Sequence, residues 1–358
     1  HTTKITFDPQ GGNNYGVSSV TATYAQAMPT MGVQAPTRDG YEFGGYFTKQ
    51  NGKGNQYYNV DMTSAKNWNI DQPEYTLYAY WIPIEYMVRL DKQGGTGGST
   101  SVIATYGEPL PSGETAPTKV GYEFRGYYSS QNDEWQEAQG NDSYNNDKQY
   151  YDKDMVGVEP WDIAAGATIY AHWAPKTYIV TFDLGDESHA AIFPDNVVNA
   201  NKDRIMEIMS DGKMKVSFDY GISGDNSIDL SVPKKPGYEM LGWYDANEDL
   251  IVTVDSKDRH AYITDKNNYW QKDGNNVKWN YADDLVLTAK FRCKYTVEDA
   301  GNGPIIKFDN EIVEPDQDWL SSVISDLQGA AKEVGTPENP VMAFDLRTSK
   351  NIWTGNKF

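Results

Sequence analysis

The side chains in this 358-residue chain that could do chemistry are mostly carboxylates, and two groupings are dense enough to suggest a cation site. One is Asp245-Ala246-Asn247-Glu248-Asp249, and the other is Asp147 with Asp152 and Asp154. A calcium loop of the EF-hand type takes its oxygens from about twelve residues, with a glycine at the sixth place and a glutamate at the last. Neither grouping has that pattern, so turn carboxylates facing solvent are the expected reading. Glycoside hydrolysis needs two carboxylates across a cleft, about 5 Å or 6.5–9.5 Å apart, a relationship that sequence spacing does not specify. Nucleophilic chemistry has still less to work with. There is one cysteine, Cys293, and the four histidines (His1, His172, His189 and His260) show no motif spacing. A catalytic thiol needs a histidine partner, so Cys293 is expected to be a buried or junction residue. A single thiol builds neither an intrachain disulfide nor a cysteine metal centre. No Gly-x-Ser-x-Gly, His-Glu-x-x-His, P-loop or dinucleotide fingerprint occurs. The expectation is a chain that is not an enzyme and holds no cofactor or metal.

Charge and hydropathy narrow the partners. The chain has 51 acidic against 31 basic residues, a net charge of −20, and that field repels a phosphate backbone, so nucleic acid is not an expected partner. No apolar run approaches the roughly 20 residues that cross a bilayer, so direct membrane insertion of this segment is not expected. The chain opens on His1 rather than Met, as expected of a processed or trimmed segment, and a signal or anchor cut from it is compatible with that start.

The remaining candidates are aromatic. Rings make up 13% of residues, including 26 Tyr and 10 Trp, and many fall in two polar stretches. Asn51–Asp71 carries Tyr57, Tyr58 and Trp68. Ser129–Trp161 carries Trp135, Tyr144, Tyr150, Tyr151 and Trp161. Rings stack on sugar faces while Asn, Asp and Gln hydrogen-bond the hydroxyls, so Tyr57, Tyr58, Trp68, Trp135, Tyr144 and Trp161 are the candidate ligand-binding residues. The competing and favoured reading is that these rings pack each stretch onto its own sheet, because a long segment needs some core.

The elements that position these residues are repeated. Gly40-Tyr41-Glu42-Phe43-Gly44-Gly45-Tyr46-Phe47 recurs as Gly121-Tyr122-Glu123-Phe124-Arg125-Gly126-Tyr127-Tyr128, and again as Gly237-Tyr238-Glu239-Met240-Leu241-Gly242-Trp243-Tyr244. A Pro/basic turn precedes each copy: Pro36-Thr37-Arg38, Pro117-Thr118-Lys119 and Pro233-Lys234-Lys235-Pro236. Further upstream lies a Tyr followed by a small residue: Tyr24-Ala25, Tyr106-Gly107 and Tyr220-Gly221. The starts match as Ile5-Thr6-Phe7-Asp8, Val88-Arg89-Leu90-Asp91 and Val180-Thr181-Phe182-Asp183. The ends match as Leu77-Tyr78-Ala79-Tyr80-Trp81, Ile169-Tyr170-Ala171-His172-Trp173 and Leu287-Thr288-Ala289-Lys290-Phe291. Alternating large apolar residues predict half-buried strands. The pairs Gly11-Gly12 and Gly94-Gly95 predict turns. The glycine just before Tyr46, Tyr127 and Trp243 predicts a bulge or a close backbone approach.

These landmarks resemble the InlB B-repeat, or Listeria–Bacteroides repeat, of bacterial surface proteins, over roughly residues 4–291. The resemblance implies a small ubiquitin-like (β-grasp) sheet per repeat, strung in tandem on an extracellular or cell-surface protein. The third copy departs from it, lacking a Gly-Gly pair and ending in Phe291 rather than Trp.

The expected fold class is β-rich α+β: tandem β-grasp repeats over 1–85, 86–176 and 177–292, followed by a small α+β module over 293–358. A short helix is expected over Lys202–Ser210, inside the third copy's insertion. In the tail, strands are expected at Tyr295–Val297, Ile305–Phe308 and Val341–Leu346, with an amphipathic helix between Trp319 and Val334. The expected function is a non-catalytic spacer or stalk with some adhesion. The alternative is a module that binds a carbohydrate or a host protein through its aromatic inserts. The sequence does not identify the partner.

Overall fold

A computed structural model describes residues 1–13, 18–30, 33–131, 147–185, 191, 193, 206–222, 233, 235, 238–254, 261–264, 266–273, 276–293, 295–299 and 304–308. Alternation builds the first sheet: in Thr2–Asp8 (β1), Thr3, Ile5 and Phe7 are buried while Lys4 and Thr6 face solvent. β1 pairs antiparallel with Ser19–Thr23 (β2) and parallel with Glu74–Pro83 (β5). Tyr41–Phe47 (β3) and Gln56–Tyr58 (β4) complete a mixed five-stranded sheet of order β2-β1-β5-β3-β4.

The second sheet repeats the plan. Glu85–Asp91 (β6), Ser101–Thr105 (β7), Tyr122–Tyr128 (β8), Gln149–Tyr151 (β9) and Ala167–Pro175 (β10) lie in the order β7-β6-β10-β8-β9. Each sheet closes its own core. Ile5, Phe7, Tyr46, Leu77 and Trp81 pack together in the first, and Val88, Leu90, Tyr127, Ile169 and Trp173 in the second. His1–Ala174 forms one compact unit and Pro175–Phe358 another.

In the second unit the same five-strand pattern is widened. It comprises Thr177–Asp183 (β11), Met206–Ile208 (β12), Met214–Asp219 (β13), Tyr238–Tyr244 (β14), Leu250–Val254 (β15), Ala261–Ile263 (β16) and, after two further strands, Leu285–Cys293 (β19). Their order is β12-β13-β11-β19-β14-β15-β16, so a strand is added at each edge. The two intervening strands, Trp270–Asp273 (β17) and Asn276–Trp279 (β18), form a hairpin, and so do Tyr295–Asp299 (β20) and Pro304–Phe308 (β21).

The expected helix over Lys202–Ser210 is corrected: Met206–Ile208 is a strand paired with Met214–Val216. Short apolar runs do not separate helix from strand by periodicity. Here a tight turn, with Gly212 at φ 81 and Met209 accepting from the Gly212 N–H at 2.9 Å, returns the chain onto an edge that can pair with it. The strands expected at Tyr295–Val297 and Ile305–Phe308 form the last hairpin. The helix expected over Trp319–Val334 and the strand over Val341–Leu346 lie outside the described residues. Among the described residues the one helical element is a 3₁₀ turn over Lys266–Asn268, so the described chain is β-rich.

The central glycine behaves as its position predicts. Gly45, Gly126 and Gly242 have φ of 113, 127 and 139, and the register with the neighbouring strand slips at Phe43/Gly45 and at Met240/Gly242. A Cβ would come within 2.4 Å of the Tyr58 carbonyl at Gly45, 2.1 Å of the Tyr151 carbonyl at Gly126 and 2.6 Å of the Val252 carbonyl at Gly242. The bulge brings the strand closer to its neighbour than a side chain allows, and it puts Tyr46, Tyr127 and Trp243 into the core.

The Pro/basic turn is also explained. Arg38, Lys119 and Lys235 sit over the rings of Tyr41, Tyr122 and Tyr238 at 4.0, 4.6 and 4.4 Å. Arg38 also donates to the Gln10 carbonyl at 3.3 Å, and Lys119 to the Gln93 carbonyl at 3.1 Å. In these two repeats the cation ties the turn to the Gly-Gly loop.

Candidate functional site

Four of the six ring residues singled out for ligand capture are core residues. Tyr57, Tyr58, Trp68 and Trp161 are fully buried. The Tyr57 ring lies 4.7 Å from that of Trp68, and the Tyr150 ring 4.9 Å from that of Trp161. Their polar atoms turn inward as well. The Tyr58 hydroxyl donates to the Pro29 carbonyl at 2.7 Å, the Tyr57 hydroxyl to Asn69 Oδ1, and the Trp68 indole to Thr3 Oγ1 at 2.9 Å. No ring face is left for a sugar, and burial supports the packing reading for these four. Trp135 and Tyr144 lie outside the described residues.

The first stretch is therefore part of its repeat rather than a loop added to it. A signal for this was present: Gln56-Tyr57-Tyr58, Met62 and Trp68 recur at identical spacing as Gln149-Tyr150-Tyr151, Met155 and Trp161. Both tyrosine pairs form the edge strand, and both methionines take a left-handed conformation, with φ 63 and 58. The third copy keeps the end of the pattern. The N–H of Ala25, Gly107 and Gly221 donates to the carbonyl of Trp68, Trp161 and Trp279 at 2.7, 2.8 and 2.8 Å.

Asp245, Asp249, Asp152 and Asp154 are engaged by protein donors. Asp245 is buried, and its Oδ1 accepts from the N–H groups of Asn247 and Asp249, both at 2.9 Å. Its Oδ2 accepts from Asn267 Nδ2 at 2.8 Å and from the Tyr269 hydroxyl at 2.9 Å. Burial raises the carboxyl's pKa, but these four hydrogen bonds outweigh it and hold the group below the usual carboxylate range. Asp249 pairs with Lys266 at 2.5 Å. In the second repeat Asp152 accepts from the N–H groups of Asp154 and Val156, both at 2.9 Å, and Asp154 pairs with Lys153 at 2.9 Å. Asp147 is engaged elsewhere. Among the described residues, no three histidine, cysteine or carboxylate side chains converge as metal ligands would.

Asp147 belongs instead to a polar cluster at the β8–β9 hairpin. It accepts from Ser129 Oγ at 2.7 Å and from the Ser130 N–H at 2.9 Å. His172 Nε2 lies 3.0 Å from the Ser130 carbonyl and 3.5 Å from Asp147 Oδ2, and its ring stacks on Tyr128 at 4.1 Å. Serine, aspartate and histidine are thus adjacent, but the serine hydroxyl is bonded to the carboxylate, not to the imidazole. Nucleophile activation needs the base on the hydroxyl, so the arrangement pins a hairpin. A surface depression of about 320 Å³, lined by Thr6, Thr48, Glu74, Tyr75, Thr76 and Tyr78, offers one carboxylate, and Glu74 ion-pairs with Lys4 at 3.7 Å.

The remaining landmarks meet where the first two repeats join. The Ile84 N–H donates to the Gly40 carbonyl at 2.9 Å, and the Tyr106 N–H donates to the Ile84 carbonyl at 3.0 Å. The Tyr41 and Tyr106 rings meet edge to face at 5.3 Å. A Cβ on Gly40 would stand 2.3 Å from the Tyr106 ring, and one on Gly107 would stand 2.8 Å from the Tyr41 hydroxyl. The Gly-Tyr of one repeat and the Tyr-Gly of the next therefore form one joint. Sequence reasoning found both landmarks but not that they touch, since the contact spans two repeats.

Buried aromatic cores, a bulged central strand and a glycine–tyrosine joint describe a tandem β-repeat protein. Residues 4–79 and 86–155 match the Listeria-Bacteroides repeat domain, and these two segments belong to that repeat family. Two relatives from Evansella cellulosilytica are similar over much of the chain. One, named "Putative membrane protein", is 25% identical over 253 residues, which is 67% of this chain and 27% of the relative. The other, named "Putative Gly-rich membrane protein", is 25% identical over 246 residues, 65% of this chain and 21% of the relative. The chain spans about a quarter of the length of these curated relatives. Among the described residues, no helix is long and apolar enough to cross a membrane.

Proposed function

We propose that this chain is the non-catalytic repeat region of a bacterial cell-envelope protein, exposed at the surface and acting as a spacer. The observation that carries this reading is where the aromatic residues go. The described rings of the inserts are inside their own sheets, and the Gly-Tyr and Tyr-Gly landmarks lock the first repeat to the second. A repeat whose distinctive residues serve its core and its neighbour is suited to extending a chain. The strand order β2-β1-β5-β3-β4, with its parallel central pair, supports reading each unit as a β-grasp sheet. The divisions 1–85, 86–176, 177–292 and 293–358 are proposed on the same basis. The names of the relatives and the repeat family favour an envelope location.

A glycan array and a panel of host surface proteins, probed with the 358-residue chain, test this function. A spacer gives no related set of hits. A coherent set of glycans or one saturable protein partner replaces the spacer reading with a binding module.

A further inference from the structure

The joint between the first two repeats has two halves, and the first repeat carries an uncovered copy of one of them. Tyr106-Gly107 is the receiving half, covered by Gly40-Tyr41. Its counterpart one repeat earlier is Tyr24-Ala25, built with the same backbone. The Tyr24 N–H donates to the His1 carbonyl at 2.9 Å, as the Tyr106 N–H does to the Ile84 carbonyl at 3.0 Å. The Ala25 N–H donates to the Trp68 carbonyl, as the Gly107 N–H does to that of Trp161. Ala25 even holds the left-handed conformation of Gly107, φ 63 against 82, at a cost that an alanine bears and a glycine does not. Yet Tyr24 is 45% exposed, while Tyr106 is partly buried against its core.

We infer that the Tyr24–Ala25 end of the first sheet is a docking face for the glycine–aromatic turn of another repeat of this kind, joined ahead of it in tandem. The occupant's chemistry is read from the occupied joint. It needs a glycine where Gly40 lets the receiving tyrosine ring approach. It needs an aromatic ring at the Tyr41 position to meet Tyr24 edge to face. It needs a backbone carbonyl for the N–H of the linking residue, as Gly40 serves Ile84. In the occupied joint the donor of that bond, Ile84, is the residue that links the two repeats, which favours a tandem repeat over a separate molecule. Ala25 tunes the fit, because its methyl stands where the Tyr41 hydroxyl comes to 2.8 Å in the occupied joint. A ring without that hydroxyl, or a glycine at position 25, packs more closely.

An unlabelled copy of residues 1–83 is ligated ahead of the isotope-labelled 358-residue chain, and amide exchange of labelled residues 19–26 is compared with and without the added copy. Docking slows these amides by about threefold to tenfold, the scale of one aromatic pair. The slowing is lost when the labelled chain carries Tyr24→Ala, and also when only the added copy carries Tyr41→Ala, which leaves the labelled chain untouched. It is kept with Tyr24→Phe and increased with Ala25→Gly. Equal exchange with and without the added copy, or slowing that survives both alanine substitutions, overturns the proposal.

Discussion

The indole of Trp81 rests against Gly12, where a Cβ would come within 2.3 Å of Cζ2, and its Nε1–H donates to the Pro9 carbonyl at 2.9 Å. Trp173 repeats this with Gly95, at 2.6 Å, and with the Lys92 carbonyl, at 3.0 Å. The Gly-Gly pair that opens a repeat and the tryptophan that closes it are thus one contact. The third repeat lacks both, having Phe291 and no Gly-Gly. A phenyl ring has no N–H to donate and a shorter reach than an indole.

Gly12→Ala should therefore destabilise the first repeat by about 1–3 kcal/mol through overpacking. The cost should shrink in a Trp81→Phe background, where the smaller ring leaves room. Denaturant unfolding of the four chains of this cycle checks it. Costs that simply add would show that the two residues are not in contact.

Trp81→Ala and Trp173→Ala should each cost about 3–5 kcal/mol, as large core truncations do. Trp68→Phe should cost about 0.5–1.5 kcal/mol more than Trp161→Phe, because only Trp68 loses an indole hydrogen bond, the one to Thr3. The Trp161 indole N–H is buried without a partner, and the residue corresponding to Thr3 in its repeat is Tyr86. Calorimetric melting of each variant gives the ranking. Unchanged melting for the alanine variants would remove these rings from the core.

Asp245→Asn should destabilise the third repeat by about 1.5–3 kcal/mol at neutral pH, since a carboxylate accepting four hydrogen bonds is replaced by an amide that cannot accept them all. The folded carboxyl titrates below its unfolded value near 4. Its contribution is therefore complete above that value and is lost as pH falls through the folded one. Stability of the parent should drop below about pH 4, and the variant should show a flatter acid limb in urea titrations at stepped pH.

The buried tyrosines set the alkaline limit. Burial pushes Tyr127 up to about 12, and it raises Tyr46, Tyr58, Tyr150 and Tyr151 as well. A phenol whose folded pKa exceeds its unfolded value near 10 favours the fold fully below pH 10, and that contribution is lost as pH climbs through the folded value. Phenolate absorbance should rise in two phases, exposed tyrosines first and buried ones together with loss of the near-UV dichroism. A single phase near pH 10 with the fold intact would contradict the burial.

The sequence by itself determined what is local. Period-2 alternation marked β1, β5 and their counterparts, because a half-buried strand must alternate. The glycines before Tyr46, Tyr127 and Trp243 were legible as bulges, since only glycine takes those φ values without strain. The strand at Met206–Ile208 looked like a helix although its signal was local: Asp211-Gly212 makes the tight turn that brings Met214–Val216 back beside it. Long-range partnership was decided by the tertiary structure alone. Asp245 looked like a solvated turn carboxylate until Asn267 and Tyr269 closed over it from another segment. Tyr57, Trp68 and Trp161 had the composition of a sugar site, and only the sheet they cover turned them inward. Tyr41 and Tyr106 are each ordinary in their own repeat and acquire a role where two repeats meet. For Asp245, Trp68 and the Tyr41–Tyr106 pair the deciding energy comes from contacts between residues far apart in the chain, which local propensity does not encode.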